Sequence, residues 1–215
     1  MVLQVSDSKT PSYSLNKRSL LWLLMTLLIM LTLFAANSQR HEIMSSSQLQ
    51  ALGYVELHDS VMLETVRLID TNSAFIDAGM FQGQWSLVFF GFTFCPDICP
   101  TTLSVLNRVK QTMGSTSPQI IFVSVDPERD SAESLKNYTS AFNPAFKALT
   151  GSLEHITAFA YQLHTAFSRG PGTVDYSVDH SVNIALINPA GEYVGYFRIP
   201  HQSESIVKVL QALTQ

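Results

Sequence analysis

The sequence predicts an α/β fold, a thioredoxin-like mixed sheet flanked by helices, preceded by one N-terminal transmembrane helix. Three observations point there: one uncharged apolar run near the N-terminus, two near-continuous apolar segments of strand character (Trp85–Phe92 and Gln119–Asp126), and amphipathic helical stretches that alternate with them. The 215 residues allow one domain of ordinary size with a little to spare. Charged residues make up 14%, against about 25% in a typical soluble domain, and the apolar run explains the deficit. Two cysteines exclude a disulfide-dense scaffold and a tetrathiolate zinc site, and a net charge of −4 without a basic run gives no electrostatic case for nucleic acid.

The first element is Ser19–Gln39 (SLLWLLMTLLIMLTLFAANSQ), which is uncharged throughout. At about 1.5 Å per helical residue it spans roughly 30 Å, the thickness of a bilayer core. Residues 19–39 are therefore expected to be a transmembrane anchor. Lys9, Lys17 and Arg18 outnumber Asp7 before it, so residues 1–18 are expected to form a cytoplasmic tail and the remainder to be translocated, periplasmic in a bacterium. The run exceeds the apolar core of about 7–15 residues in a signal peptide. Leu33 and Phe34 also suit a cut after Ala35 or Ala36 poorly, so retention of the helix is expected. The translocated part carries 10 basic and 16 acidic residues. Residues 40–60, with Ser45-Ser46-Ser47, read as a linker with one helical turn around Gln48–Leu52, and residues 61–215 as the folded domain.

Within that domain, Val61–Asp70 and Trp85–Phe92 read as strands. Thr101–Met113 then places Leu103, Leu106, Val109 and Met113 on one helical face. Gln119–Asp126 is another buried strand, stopped by Pro127. A helix is expected from Asp130, as cap with Glu133 three residues on, to Pro144, and a further one over Ser152–Phe167. Ser181–Asn188 and Glu192–Ile199 flank the turn Asn188-Pro189-Ala190-Gly191, and Ser203–Leu213 closes the chain as a helix burying Ile206, Val207, Leu210 and Leu213. The order β, α, β, α, α, β, β, α matches a thioredoxin-like arrangement.

The chemistry concentrates at Phe94-Cys95-Pro96-Asp97-Ile98-Cys99-Pro100, where both cysteines of the chain lie four apart. Each precedes a proline, which predicts a turn, with Pro100 opening the next helix. A turn at a helix N-terminus presents both sulfurs to the positive end of the dipole, which favours thiolate. Such a pair is both a dithiol/disulfide couple and a soft-metal chelate; a permanent structural bridge is also open, though so short a loop adds little stability. Of the six histidines, His41 and His58 fall in or near the linker, His201 follows Pro200, and His155 and His164 lie on a helix. His180 differs, standing after the polar loop Ser168–Asp175 and directly before a central strand, where a loop side chain can reach a neighbouring loop. Spacing alone leaves a solvated histidine open.

From about Leu63 onward the chain resembles the Sco/SenC family of copper-binding, thioredoxin-like proteins of cytochrome c oxidase assembly. Three segments carry the resemblance: Phe90-Gly91-Phe92-Thr93-Phe94-Cys95-Pro96-Asp97-Ile98-Cys99-Pro100-Thr101-Thr102-Leu103, then Phe122-Val123-Ser124-Val125-Asp126-Pro127-Glu128-Arg129-Asp130, then Val178-Asp179-His180-Ser181. The resemblance implies that Cys95, Cys99 and His180 are copper ligands, for Cu(I) and also Cu(II). It implies as partners an oxidase subunit carrying the copper A site and an upstream copper donor or thiol reductant, with the membrane held through the N-terminal anchor. Phe94 stands where the family often has His, a departure that bears on exposure and redox potential and not on the ligands.

Two thiolates and an imidazole suit Cu(I), whereas zinc wants a fourth protein ligand or an open catalytic position. Asp97 and Asp126 are candidates for orienting a ligand, with a turn residue and a strand-end cap as the equal alternatives. Met44, Met62, Met80 and Met113 are scattered and form no methionine-rich copper motif. Two functions follow, a copper metallochaperone or a thiol-disulfide reductase in which Cys95 and Cys99 form the redox pair that keeps the oxidase cysteines reduced. A peroxiredoxin-like peroxidase fits less well, because Thr93 precedes Cys95 by two residues instead of three.

Overall fold

A computed structural model describes residues 16–38, 44–64, 66–172 and 176–214. The chain divides into two units, Met1–Ile43 and Met44–Gln215. The first holds α1 (Lys17–Ser38), whose Lys17–Phe34 stretch has a mean hydropathy of 1.7 and is long and apolar enough to cross a membrane. Asp7, Lys9, Arg40 and His41 lie outside the described residues.

The second unit opens with α2 (Ser46–Ala51), closed at its start by a reciprocal cap in which Gln48 N donates to Ser45 Oγ and Ser45 N donates to Gln48 Oε1. Then comes β1 (Tyr54–Met62). Residues 40–60, expected as a linker, therefore carry a helix and most of a strand from Ser46 on. The reason is legible afterwards: β1 is an edge strand that buries Tyr54 against Phe197, ring centroids 5.1 Å apart, and turns Glu56 and His58 to solvent, so half its residues are polar. The strand expected over Val61–Asp70 splits, Val61 and Met62 ending β1 while β2 (Leu68–Asp70) pairs with β3 (Phe75–Ile76) at the opposite edge of the sheet.

The remaining elements are β4 (Ser86–Gly91), α3 (Ile98–Met113), β5 (Gln119–Ser124), α4 (Ala132–Phe142), β6 (Lys147–Thr150), α5 (Leu153–Gln162), β7 (Phe167–Arg169), β8 (Val178–His180), β9 (Ile184–Ile187), β10 (Glu192–Phe197) and α6 (Ser203–Leu213). Among the described residues the main sheet runs β1-β10-β9-β4-β5-β6-β2-β3, with β4, β5 and β6 parallel and β9 and β10 antiparallel beside them. It is the mixed, helix-flanked sheet that the sequence predicts.

The two-residue period of β4 sets the layers. Phe90 points to one face and packs on Phe159 of α5, centroids 5.7 Å apart, while Phe89 points to the other and packs on Phe122, 6.2 Å away. Gly91 shares the Phe89 face, and a Cβ built on it would stand 2.7 Å from Cys99 Sγ at the start of α3. Helices therefore cover both faces, and every residue of β4 and β5 is buried. Each large side chain so enclosed contributes about 1.5–3 kcal/mol.

Several boundaries move. α3 starts at Ile98, three residues earlier than expected, so Cys99 sits in its first turn and Pro100 at the third helical position. Proline is tolerated there because first-turn amides have no partner inside the helix. The cap of α4 is Ser131, whose Oγ accepts from Ser134 N at 3.1 Å, and Asp130 turns inward instead. α5 ends at Gln162, and the next strand β7 pairs with β8 as a separate two-stranded ribbon. His180 thus ends a strand where a loop was expected, and of the expected loop Ser168–Asp175 residues 173–175 lie outside the described residues. The β9–β10 hairpin and α6 stand as expected, with Asn188 Oδ1 accepting from Ala190 N and Glu192 N and Gly191 at φ +85° closing the turn.

Candidate metal centre

Three segments meet at the C-terminal end of β4. The chain leaves the sheet after Gly91 and turns through Phe92–Cys95, where Cys95 N donates to Phe92 O at 3.2 Å. It then enters α3, and Cys99 N in the first turn donates to Cys95 Sγ at 3.3 Å. Cys95 thus receives an amide from the positive end of the helix, as the dipole argument expects. The ribbon strand β8 brings His180 in from the other side, with Nε2 3.6 Å from Cys99 Sγ. His180 Nδ1 lies 2.9 Å from Ser181 O; a carbonyl only accepts, so the ring proton sits on Nδ1 and the Nε2 lone pair faces the sulfur. The rings of Phe89 and Phe92 hold the imidazole edge-on at 6.0 Å each.

The Cys95 and Cys99 sulfurs and a His180 ring nitrogen all lie within 4.8 Å of one another. With metal–ligand bonds of about 2.0–2.3 Å, trigonal coordination sets donors roughly 3.5–4 Å apart, so the observed cluster needs little adjustment to close on one ion. The donor set, two sulfurs and one imidazole, is that of a soft cation. Both cysteines are free and buried. Burial pushes the Cys99 thiol well above its ordinary range, reinforced by the neighbouring Cys95, so at Cys99 desolvation outweighs the favour to thiolate expected from the helix N-terminus. A metal must therefore displace a proton from Cys99. Burial also lowers the His180 pKa, against a rise from its bond to Ser181 O and from Asp179, which keeps the ring neutral and ligating near pH 7.

A cavity of about 380 Å³ opens over Cys95 and His180, walled by Phe92, Phe94, Arg129 and Tyr176. Cys99 does not line it and has no exposed surface, while Phe94 at its rim is 63% exposed. The centre therefore has an outer side, Cys95 and His180, and an inner ligand, Cys99.

The carboxylates expected to orient ligands do other work. Asp97 is exposed at the start of α3 with no capping bond from its side chain, and its Oδ1 takes only a long 3.4 Å contact from Thr101 Oγ1. Asp126 is buried and accepts from Arg129 Nε and from Tyr176 OH, both at 2.5 Å. Among the described hydrogen bonds neither touches Cys95, Cys99 or His180, and the imidazole is oriented by the Ser181 carbonyl. Sequence reading missed the roles of Arg129, Asp130 and Tyr176. Arg129 lies 3.8 Å over the Tyr176 ring and 5.1 Å from that of Phe94, and the only signal in the sequence was the charged run Asp126–Asp130 after an apolar strand.

The SCO1/SenC family model matches residues 58–215. The chain belongs to the SCO1/SenC family. Among SCO1/SenC relatives, the human mitochondrial SCO2 homolog is 39% identical over 132 residues, 59% of this chain and 50% of that protein. The SCO2-like protein of Rickettsia typhi is 34% identical over 153 residues, 69% of this chain and 75% of that one. The match thus spans about half the length of the human relative. Yeast Sco1 with copper bound superposes with a TM-score of 0.67 at 30% identity, covering 72% of this chain and 90% of that structure. BsSco, of the Sco family of cytochrome c oxidase assembly proteins, shares the fold at a TM-score of 0.59 and 22% identity, over 73% of this chain and 95% of that one.

Proposed function

We propose that this SCO1/SenC protein is a membrane-anchored copper chaperone that carries copper on Cys95, Cys99 and His180 and delivers it to, or prepares, the copper A centre of cytochrome c oxidase. The Cys95–Cys99–His180 cluster is the observation that supports this reading. A buried site of two thiolates and one imidazole suits Cu(I), and Cu(II) with an added ligand. The copper-bound yeast relative and the oxidase-assembly role of the family agree with it. α1 is read as the anchor, with the folded unit on the translocated side beside an oxidase subunit at the same membrane. Copper arrives there from an upstream donor. Because the cavity reaches Cys95 and His180 and not Cys99, a recipient thiolate displaces the outer ligands first and Cys99 lets go last.

A second reading rests on the two free sulfurs, one of them at the cavity. Cys95 and Cys99 can close a disulfide while reducing a disulfide of the oxidase subunit to two thiols, two electrons and two protons passing to the partner. The readings separate at His180. Copper titration of the reduced full-length chain in detergent, beside Cys95→Ser, Cys99→Ser and His180→Ala, tests them. One copper per chain, lost with either serine and weakened by the alanine, supports the chaperone. Weak binding indifferent to His180, with a reversible Cys95–Cys99 bridge, supports the reductase.

A further inference from the structure

Asp130 was expected to cap α4, and Ser131 does that instead. Asp130 is 1% exposed, and among the described residues hydrogen bonds hold its carboxyl. Thr93 Oγ1 donates at 2.5 Å, Thr93 N at 3.1 Å and Ser124 Oγ at 2.6 Å. Burying a carboxyl is costly, and burial raises the Asp130 pKa even against these bonds, so the group needs every donor it has. Thr93 lies 37 residues away in sequence and two before Cys95, in the turn that carries that cysteine out of β4. Asp130 in turn is fixed by its own backbone, since Asp130 N donates to Asp126 O at 2.9 Å, and by Ser124, whose Oγ also accepts from Asp126 N at 3.0 Å.

The same turn reaches the other side of the centre. Asp126 accepts from Tyr176 OH, and Arg129 Nη1 donates to Tyr176 O at 3.1 Å, four residues before His180. The segment from Ser124 to Asp130 therefore grips the cysteine turn with one carboxyl and the approach to the histidine strand with the other.

We infer that Asp130, through Thr93, is a positioning residue for the thiolate half of the centre: it holds the Phe92–Cys95 turn so that Cys95 Sγ stands within reach of both Cys99 Sγ and His180 Nε2. The inference rests on the reading of these three residues as copper ligands. It assigns to Asp130 and Thr93 an effect on copper affinity that neither exerts by touching the metal, and that a helix cap would not have.

The test uses the full-length chain in detergent, reduced and anaerobic. Cu(I) affinity is read by competition with a chromophoric chelator, the Cu(II)-thiolate charge-transfer band by absorption, and folding by circular dichroism and melting. Thr93→Val removes the hydroxyl donor and keeps the amide, Thr93→Ser keeps both, and Asp130→Asn replaces one acceptor oxygen by a donor. Thr93→Val is expected to weaken Cu(I) binding by about tenfold and to shift the charge-transfer band, with Thr93→Ser restoring both, and Asp130→Asn to act in the same direction. Should Asp130→Asn fail to fold, the valine and serine pair decides. Folded Thr93→Val with wild-type affinity and band, beside Cys95→Ser that has lost copper, overturns the inference and leaves the copper reading intact. A wild-type chain that holds no copper overturns both.

Discussion

The two arms of the centre are built differently. The cysteine arm grows out of β4, a fully buried strand held on one side by parallel β5 and on the other by antiparallel β9, and it continues directly into the sixteen-residue α3. The histidine arm is the three-residue strand β8, paired among the described residues with three-residue β7 alone, in a ribbon outside the main sheet whose outer residues Ser168, Arg169 and Asp179 are exposed. Short exposed ribbons open at lower free-energy cost than core strands. On the proposed copper reading the difference gives the three side chains distinct duties: His180 can leave with the movement of a small element, Cys95 is open to a recipient at the cavity, and buried Cys99 lets go last. A carrier needs both properties, tight holding and an exit.

That contrast can be broken at either arm. The largest effect is expected from Cys99→Ser, which removes the inner, fully buried ligand. Copper affinity measured by chelator competition should fall by more than the 10–100-fold typical of losing a supporting group, to the level of adventitious binding. His180→Ala should cost less, within that 10–100-fold range, with dissociation accelerated while the fold is kept, as stopped-flow transfer to a chelator would show.

Gly91→Ala probes the seat without replacing a ligand. The added methyl would stand 2.7 Å from Cys99 Sγ and 2.7 Å from Phe122 Cε2, so overpacking should destabilise the chain by about 1–3 kcal/mol, seen as a melting temperature lower by roughly 2–4 °C for each kcal/mol. The smallest effect concerns pH. Burial lowers the pKa of His201, against a rise from the Phe197 carbonyl, and its Nδ1 meets Thr102 Oγ1 at 3.3 Å on α3. A folded pKa below the ordinary 6.5 means that the unfolded chain takes up the proton first, so stability is fully present above about pH 6.5 and falls as pH drops below it. His201→Gln should show a smaller melting loss between about pH 7.5 and pH 5.5 than the wild type, both metal-free.

The same contrast explains what could be read from the residues. β4, β5, α3, the β9–β10 hairpin and α6 were legible because burial on both faces, or on one helical stripe, writes itself as an apolar run or a 3.6-residue period. β1 was hidden because an edge strand with a solvated face resembles a polar linker, and β6, β7 and β8 because three or four residues carry too little periodicity to see. Cys95 and Cys99 announced themselves by spacing and chemistry. His180 was only set apart by its place before a central strand, since the ribbon that seats it pairs residues nine to thirteen apart in sequence, and its role came from the resemblance. Asp130 was misread for a different reason: an aspartate one residue before a serine at a helix start looks like the cap, and only the tertiary contact with Thr93 shows which of the two turns inward.

The central claim is that one copper sits between a rigid thiolate pair and a histidine delivered on a separate, looser arm. X-ray absorption of the copper-loaded, reduced full-length chain, compared with the His180→Ala chain, addresses it most directly. The account predicts a first shell of two sulfurs and one nitrogen that becomes two sulfurs alone in the variant, with both sulfurs kept and their bonds to copper slightly shortened by the lower coordination number. A shell without nitrogen in the wild type, or sulfurs that rearrange when His180 is removed, would contradict it.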